Sequence, residues 1–224
     1  MSDLSVIITS HNTAGFIGVA IESALHQGDP PREVLVVDDS TDDSPAVAAR
    51  YAGSSGGRVR LLRVPACNIS QARNHGLDAA RGTFTAFLDG DDAWLPDKAA
   101  RQIEMLNAHP EAVGTWCRYF DFEHDLDDLG RRQLKATADD PSVVEALVRS
   151  DIPASCQLIR SAALGSVRFD ARSGHGEDVI RKVVYDNPLN FWRLSNRWQE
   201  WPTAGKEGEK EEGAKVSREK KKVE

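Results

Sequence analysis

The sequence predicts an α/β protein, one domain built on a mainly parallel central sheet flanked by helices. Three observations carry that expectation. The apolar runs at 4–9, 34–37 and 84–88 have no polar alternation in their middles, as in strands buried on both faces. Stripes of apolar residues at helical spacing lie between them, and a strand, a helix and a second strand within about 35 residues make a right-handed crossover of parallel strands. The second and third runs end in acids, Asp38-Asp39 and Asp89-Gly90-Asp91-Asp92, and open parallel sheets place ligands at the carboxyl ends of their strands.

In order along the chain, the β-branched run at 4–9 is the first strand. Asn12 or Thr13 is placed to cap a helix carrying Phe16, Ile17, Ala20, Ile21, Ala24 and Leu25 on one stripe, which stops near Gly28. Asp29-Pro30-Pro31 turns the chain into the strand at 34–37. Ser44-Pro45 opens a helix with its body at 46–51, and the glycines of 53–57 close it. A third strand is expected at 59–64, then a helix capped by Ser70 that runs through Ala72, Leu77 and Ala80 to Gly82. Arg73 and Asn74 would lie in its first turn, where a cation opposes the helix dipole. That placement suits either an anion contact or an arginine reaching solvent.

After the acids, Pro96 is expected to start a helix with Ala99, Ile103, Met105 and Leu106 on one side, ending before Pro110. Residues 112–122 and 154–160 read as strands, 141–148 as a short helix, and 173–176 as a glycine-rich loop leading to Glu177-Asp178 at a helix start. The acid-rich stretch at 123–128 reads as a solvated hairpin loop, with a second metal site as the competing reading. The last 22 residues hold seven basic and six acidic side chains and no aromatic, a composition that cannot bury a core. The expected organisation is therefore 1–110, 111–202 and a disordered tail at 203–224.

With 224 residues and 40% hydrophobic content the chain has enough apolar material for a sizeable core. A net charge of −7 argues against nucleic-acid binding, which needs a basic face. Cys67, Cys117 and Cys156 are far apart and lack metal-ligand spacing, so they read as reduced thiols of a cytosolic protein. No apolar run approaches the 18 or so residues of a membrane span, leaving at most peripheral membrane association.

Asp89, Asp91 and Asp92 are three acids within four residues. Such a cluster is unfavourable unless a cation or a set of donors compensates it, which points to a divalent metal held by hard oxygen ligands. The alternative is a solvated Asp-Gly turn.

Four motifs, the run Ser5-Val6-Ile7-Ile8-Thr9-Ser10-His11-Asn12, Val36-Val37-Asp38-Asp39-Ser40, Gln71-Ala72-Arg73-Asn74-His75-Gly76-Leu77 and Phe87-Leu88-Asp89-Gly90-Asp91-Asp92, together resemble the family 2 glycosyltransferases of the Rossmann-like GT-A fold. The resemblance implies an inverting transferase that moves a sugar from a nucleoside diphosphate sugar to a saccharide or other hydroxyl acceptor. A manganese or magnesium ion would assist, and the setting would be polysaccharide or cell-envelope glycan synthesis, in the cytoplasm or at the inner face of the membrane. It implies that Thr9, Asn12, Asp39, Arg73, Asp89 and Asp91 bind the nucleotide sugar and that Asp91 and Asp92 hold the metal. It also implies that Asp178 is the catalytic base and that Glu177 contacts the acceptor. His11 stands where the family usually has tyrosine and Ser40 where it usually has glycine, and the stretch from about Arg181 is divergent. A competing reading is a catalytically inactive nucleotide-sugar-binding protein. A phosphoryl-accepting receiver-type domain would need a lysine at a late strand end, and 112–122 and 154–160 offer none.

Overall fold

A computed structural model of the chain describes residues 1–119, 153–169 and 171. The chain divides into two units, Met1–Leu194 and Ser195–Glu224, and all described residues belong to the first. The expectations for 123–128, 141–148, 173–178 and the tail lie outside the described residues.

Six strands form one sheet: β1 (Ser2–Ser10), β2 (Pro31–Asp38), β3 (Val59–Arg63), β4 (Phe84–Asp89), β5 (Gly114–Trp116) and β6 (Gln157–Arg160), in the spatial order β3-β2-β1-β4-β6-β5. The first four are mutually parallel, and β6 runs antiparallel to both β4 and β5. The helices are α1 (Ile17–Leu25), α2 (Ser44–Ser54), α3 (Ile69–Ala79), α4 (Lys98–Ala108) and the short α5 (Ser161–Leu164). The mainly parallel α/β sheet expected from the apolar runs is thus present, and β6 draws residues from beyond 110 into the same sheet as β4.

The strands lack alternation because both faces of the sheet are covered. Leu4, Val6 and Ile8 of β1, Val34 and Val36 of β2, and Ala86 and Leu88 of β4 pack with Ile17, Ala20, Ile21 and Ala24 of α1, Ala48 of α2, and Ala99 and Leu106 of α4. The intervening Ile7, Leu35, Val37 and Phe87 pack on the other face against Ala72 of α3. Each fully buried Leu, Ile or Val contributes about 1.5–3 kcal/mol of transfer free energy, so a one-residue slip of register would exchange two complete cores.

Gly76 lets α3 approach β1. A Cβ at that position would collide with the Ile7 side chain, which is itself fully buried and cannot move aside. Gly76→Ala is therefore expected to destabilise the fold by about 1–3 kcal/mol, the usual range for overpacking. An unchanged urea midpoint would show that the helix can lift off the sheet without loss.

Several local expectations need correction. Neither Asn12 nor Thr13 caps α1; the N-cap is Phe16 with no side-chain cap bond, and the Thr13 carbonyl receives the Phe16 and Ile17 N–H groups instead. Ser70 does not cap α3. Asn68 does, in a reciprocal capping box with Gln71. Arg73 is consequently the fifth residue of the helix rather than part of its first turn. Helix α4 begins at Lys98, two residues after Pro96. Of the strand expected at 112–122, the described residues 112–119 are regular strand at Gly114–Trp116, and the one expected at 154–160 begins with a 3-10 turn at Ala154–Cys156.

Candidate active site

The strand order reverses between β1 and β4. From β1 the chain steps outward to β2 and β3, then returns across the opposite face through α3 to β4. The connection from β1 leads toward β2 and that from β4 toward the β6–β5 edge, so their carboxyl ends mark the switch point at which open parallel sheets bind ligands. The register sets Thr9 beside both Val37 and Asp89, and Ser10 beside Asp38. The acids of β2 and β4 therefore meet on one edge with Thr9 between them.

Asp89 is the hub. Its Oδ1 accepts from the Thr9 hydroxyl at 3.1 Å and from the Arg73 guanidinium at 3.0 Å. Arg73 is 6% exposed, stacks over the Phe169 ring with its guanidinium carbon 5.4 Å from the centroid, and has a buried Nε without a hydrogen-bond partner. Asn74 exchanges two hydrogen bonds with the Phe169 backbone, at 2.7 and 2.8 Å. Of the two expected settings for Arg73, solvent is excluded by its burial, and the anion it meets is the Asp89 carboxylate at the end of β4.

The turn after β4 depends on Gly90. Its N–H donates to the Thr9 carbonyl at 2.9 Å, and a Cβ there would lie 2.8 Å from that oxygen and 2.9 Å from Thr13 Oγ1. Asp91 is exposed. Asp92 is half-buried, and its Oδ2 accepts from the Ser155 hydroxyl, whose oxygen in turn accepts the Asp89 N–H at 3.0 Å. Trp94 Nε1 fixes the Ser155 carbonyl at 2.8 Å. Ser155 was invisible to the sequence reading, since it lies 63 residues from Asp92 and follows no acidic motif.

The paired acids of β2 separate into two environments. Asp38 is fully buried and receives Ser10 Oγ at 2.6 Å, Ser40 Oγ at 2.9 Å and the Arg63 guanidinium. Asp39, with its side chain 6% exposed, is bound to His11 Nδ1 at 2.8 Å and to the Cys67 N–H at 3.0 Å. Asn12 sits in the left-handed region, at φ 55°. Its Oδ1 accepts from the Thr41 and Asp42 N–H groups, so its carboxamide oxygen shapes the loop beside Asp39. Glu177 and Asp178 lie outside the described residues, so Thr9, Asp39, Arg73, Asp89, Asp91 and Asp92 are the expected site residues gathered on this edge.

Among the described residues no three His, Cys, Asp or Glu side chains form a group able to hold a metal. That arrangement still suits magnesium or manganese, which typically take one or two carboxylates and complete their coordination with substrate phosphates and water. Asp91 and Asp92 supply such a pair.

A mainly parallel sheet flanked by helices, with acids gathered at its switch point, is an α/β architecture of the GT-A type. Residues 5–167 match the family described as Glycosyl transferase family 2, and the chain belongs to that family. It is 42% identical over 108 residues to the succinoglycan biosynthesis protein ExoO of Rhizobium meliloti (strain 1021), covering 47% of this chain and 30% of that protein. It is 36% identical over 104 residues to the Escherichia coli UDP-Glc:alpha-D-GlcNAc-diphosphoundecaprenol beta-1,3-glucosyltransferase WfgD, covering 46% and 40%. The chain thus spans less than half the length of these relatives. Its fold matches S. aureus TarS 1-349 in complex with UDP-GlcNAc, with TM-score 0.60, 19% identity, and coverage of 82% of this chain and 53% of that one. It also matches the mannosyltransferase PcManGT from Pyrobaculum calidifontis in complex with GDP-Man and Mn2+, with TM-score 0.56, 22% identity and coverage of 80% and 51%.

Proposed function

We propose that the protein transfers a sugar from a nucleoside diphosphate sugar to an acceptor hydroxyl, with inversion and with the help of a divalent metal, in polysaccharide or cell-envelope glycan synthesis. The observation that carries this reading is the meeting of Thr9, Asp39, the Arg73–Asp89 pair, Asp91 and Asp92 at the sheet's switch point. Residues 1–110 would bind the donor and 111–202 the acceptor, with 203–224 a tail that takes no part. The names of the relatives support the glycan setting, and the titles of the matched structures support a nucleotide-sugar donor. No helix among the described residues is long and apolar enough to cross a membrane. A cytoplasmic protein that meets its acceptor at the inner membrane face fits that observation.

In this scheme Asp39 accepts from an N–H of the base, and Asp89, held by Thr9 and Arg73, faces the ribose and diphosphate. Asp91 and Asp92 hold the metal, with Ser155 orienting Asp92. A divalent ion there supplies Lewis-acid stabilisation of charge on the departing diphosphate. Asp178 takes the acceptor's proton as the hydroxyl attacks from the face opposite the leaving group, so one carboxylate base suffices and no covalent intermediate forms.

The test is a thermal-shift panel of nucleoside diphosphates with manganese and with chelator, because a ligand stabilises by RT ln(1 + [L]/Kd). Nucleotide should raise the melting temperature more with manganese than with chelator. Asp91→Asn, at an exposed position, should remove most of that manganese-dependent part and leave the apo melting temperature unchanged. Equal affinity of the wild type with and without metal would sink the metal-bridged scheme. Binding without turnover of any donor sugar would favour the inactive-binder reading.

A further inference from the structure

A cluster behind the acidic turn has no part in the chemistry above. Strands β5 and β6 pair Trp116 with Gln157, so the next pair along is Cys117 with Cys156, and the Cys117 N–H donates to the Cys156 carbonyl at 3.2 Å. Cys156 closes the 3-10 turn that precedes β6, and its backbone bond to Cys117 holds the two residues side by side, as a disulfide with Cα atoms about 4.4–6.8 Å apart requires. The two side chains pack together in one small apolar cluster with Trp116 and Tyr119. Gln102 Nε2 also binds the Cys156 carbonyl at 3.0 Å, so α4 fixes the pair's backbone.

Lys98 completes the cluster. Its Nζ is buried without a hydrogen-bond partner and lies 3.7 Å from the Trp94 ring centroid. A lysine in the first turn of a helix also opposes the helix dipole, so its contact with the Trp94 ring is what favours the ammonium there, with no hydrogen-bond acceptor beside it among the described residues. A thiolate beside it would supply the missing counter-charge. Burial pushes the ammonium down to about 8, and the Cys156 hydrogen bond and Lys98 together hold the Cys117 thiol down at about 7. Cys156, buried behind it, is pushed up. Cys67 is exposed to a similar degree as Cys117, but burial and the Asp39 carboxylate push its thiol up.

We propose that Cys117 and Cys156, with Lys98, form a reversible dithiol–disulfide site whose oxidant is hydrogen peroxide. The Cys117 thiolate attacks one peroxide oxygen, the O–O bond breaks, and the departing hydroxide takes a proton to become water. The Cys156 sulfur then attacks the Cys117 sulfenic acid, and its proton leaves with the sulfenic oxygen as a second water. Two thiols lose two hydrogens, and the peroxide is reduced to two waters. A low-molecular-weight thiol reverses the step by exchange. Cys156 follows Ser155, so the disulfide forms on the same backbone that orients Asp92. The proposal does not depend on the transferase reading.

The experiment treats the full chain with peroxide, blocks remaining thiols with iodoacetamide, and maps peptides by mass spectrometry. The expected product is a linked Cys117–Cys156 peptide that dithiothreitol separates, with Cys67 still alkylated. Lys98→Met should slow alkylation of Cys117 at pH 7, by about fivefold if the thiol rises one pKa unit from about 7. Cys156→Ser should stop the reaction at a sulfenic acid that dimedone traps. Recovery of Cys117 and Cys156 as separate alkylated peptides after peroxide, or oxidation of Cys67 as fast as Cys117, overturns the proposal; both readings come from the wild type and need no variant to fold.

Discussion

Asp89→Asn is expected to destabilise the protein by about 3 kcal/mol and to abolish high-affinity nucleotide binding. Arg73 reaches its partner from α3 across the end of β4, and its guanidinium side chain is 8% exposed against 29% for the carboxylate. Removing the negative charge leaves a buried cation whose Nε already has no acceptor. Breaking a buried pair from one side typically costs about 3–5 kcal/mol, and the partial exposure of Asp89 places this pair at the lower end. For a chain of this size that corresponds to a melting temperature about 6–12 °C lower. Arg73→Met should cost less, since Asp89 keeps the Thr9 hydroxyl and some solvent. The double variant should cost clearly less than the sum of the two, because each removes the same interaction. Additive losses in that cycle would show that Asp89 is held by the turn geometry and not by Arg73.

The fold was legible because sheet burial writes itself into local sequence. Val34-Leu35-Val36-Val37 feeds both faces of the sheet in alternation, so the run must be apolar throughout, and no partner strand has to be known to read it. The carboxyl-end location of Thr9, Asp39 and Asp89 followed from the crossover rule in the same way. What stayed hidden was set by distant partners. The Arg73 side chain turns inward because Asp89 is there. Nothing within α3 fixes that except the burial phase of Ala72, Arg73 and Gly76, which a helical wheel anchored on Gly76 would have shown. The capping box of α3 is local, Asn68-Ile69-Ser70-Gln71, but the serine inside it offers the same capping chemistry and masks the true N-cap. Asn12 does not cap α1, because its positive φ turns its side chain to the 41–42 backbone of the neighbouring crossover. Ser155 carries no local signal at all, because its role exists only where β6 comes to lie beside β4.

Asp178→Asn is expected to lower sugar transfer by about 10²–10⁴-fold while leaving nucleoside diphosphate affinity nearly unchanged, the range that a general base contributes. The acid pair Glu177-Asp178 follows the glycine-rich stretch at 173–176. The described chain already returns to α3 just before it, with Phe169 against Arg73 and Asn74 and the Ala171 carbonyl accepting from Asn68 Nδ2 at 2.7 Å. An acid that only complements a helix dipole would contribute well under 1–2 kcal/mol of stability and nothing to turnover. Asparagine preserves the size of the side chain and its capping ability and removes the basic oxygen, so it separates the two roles. Full transfer activity in the variant would assign Asp178 to helix capping, and parallel loss of nucleotide binding and activity would place it in the donor site. Glu177→Gln supplies the contrast, since a contact to the acceptor predicts a raised KM for acceptor with kcat largely retained.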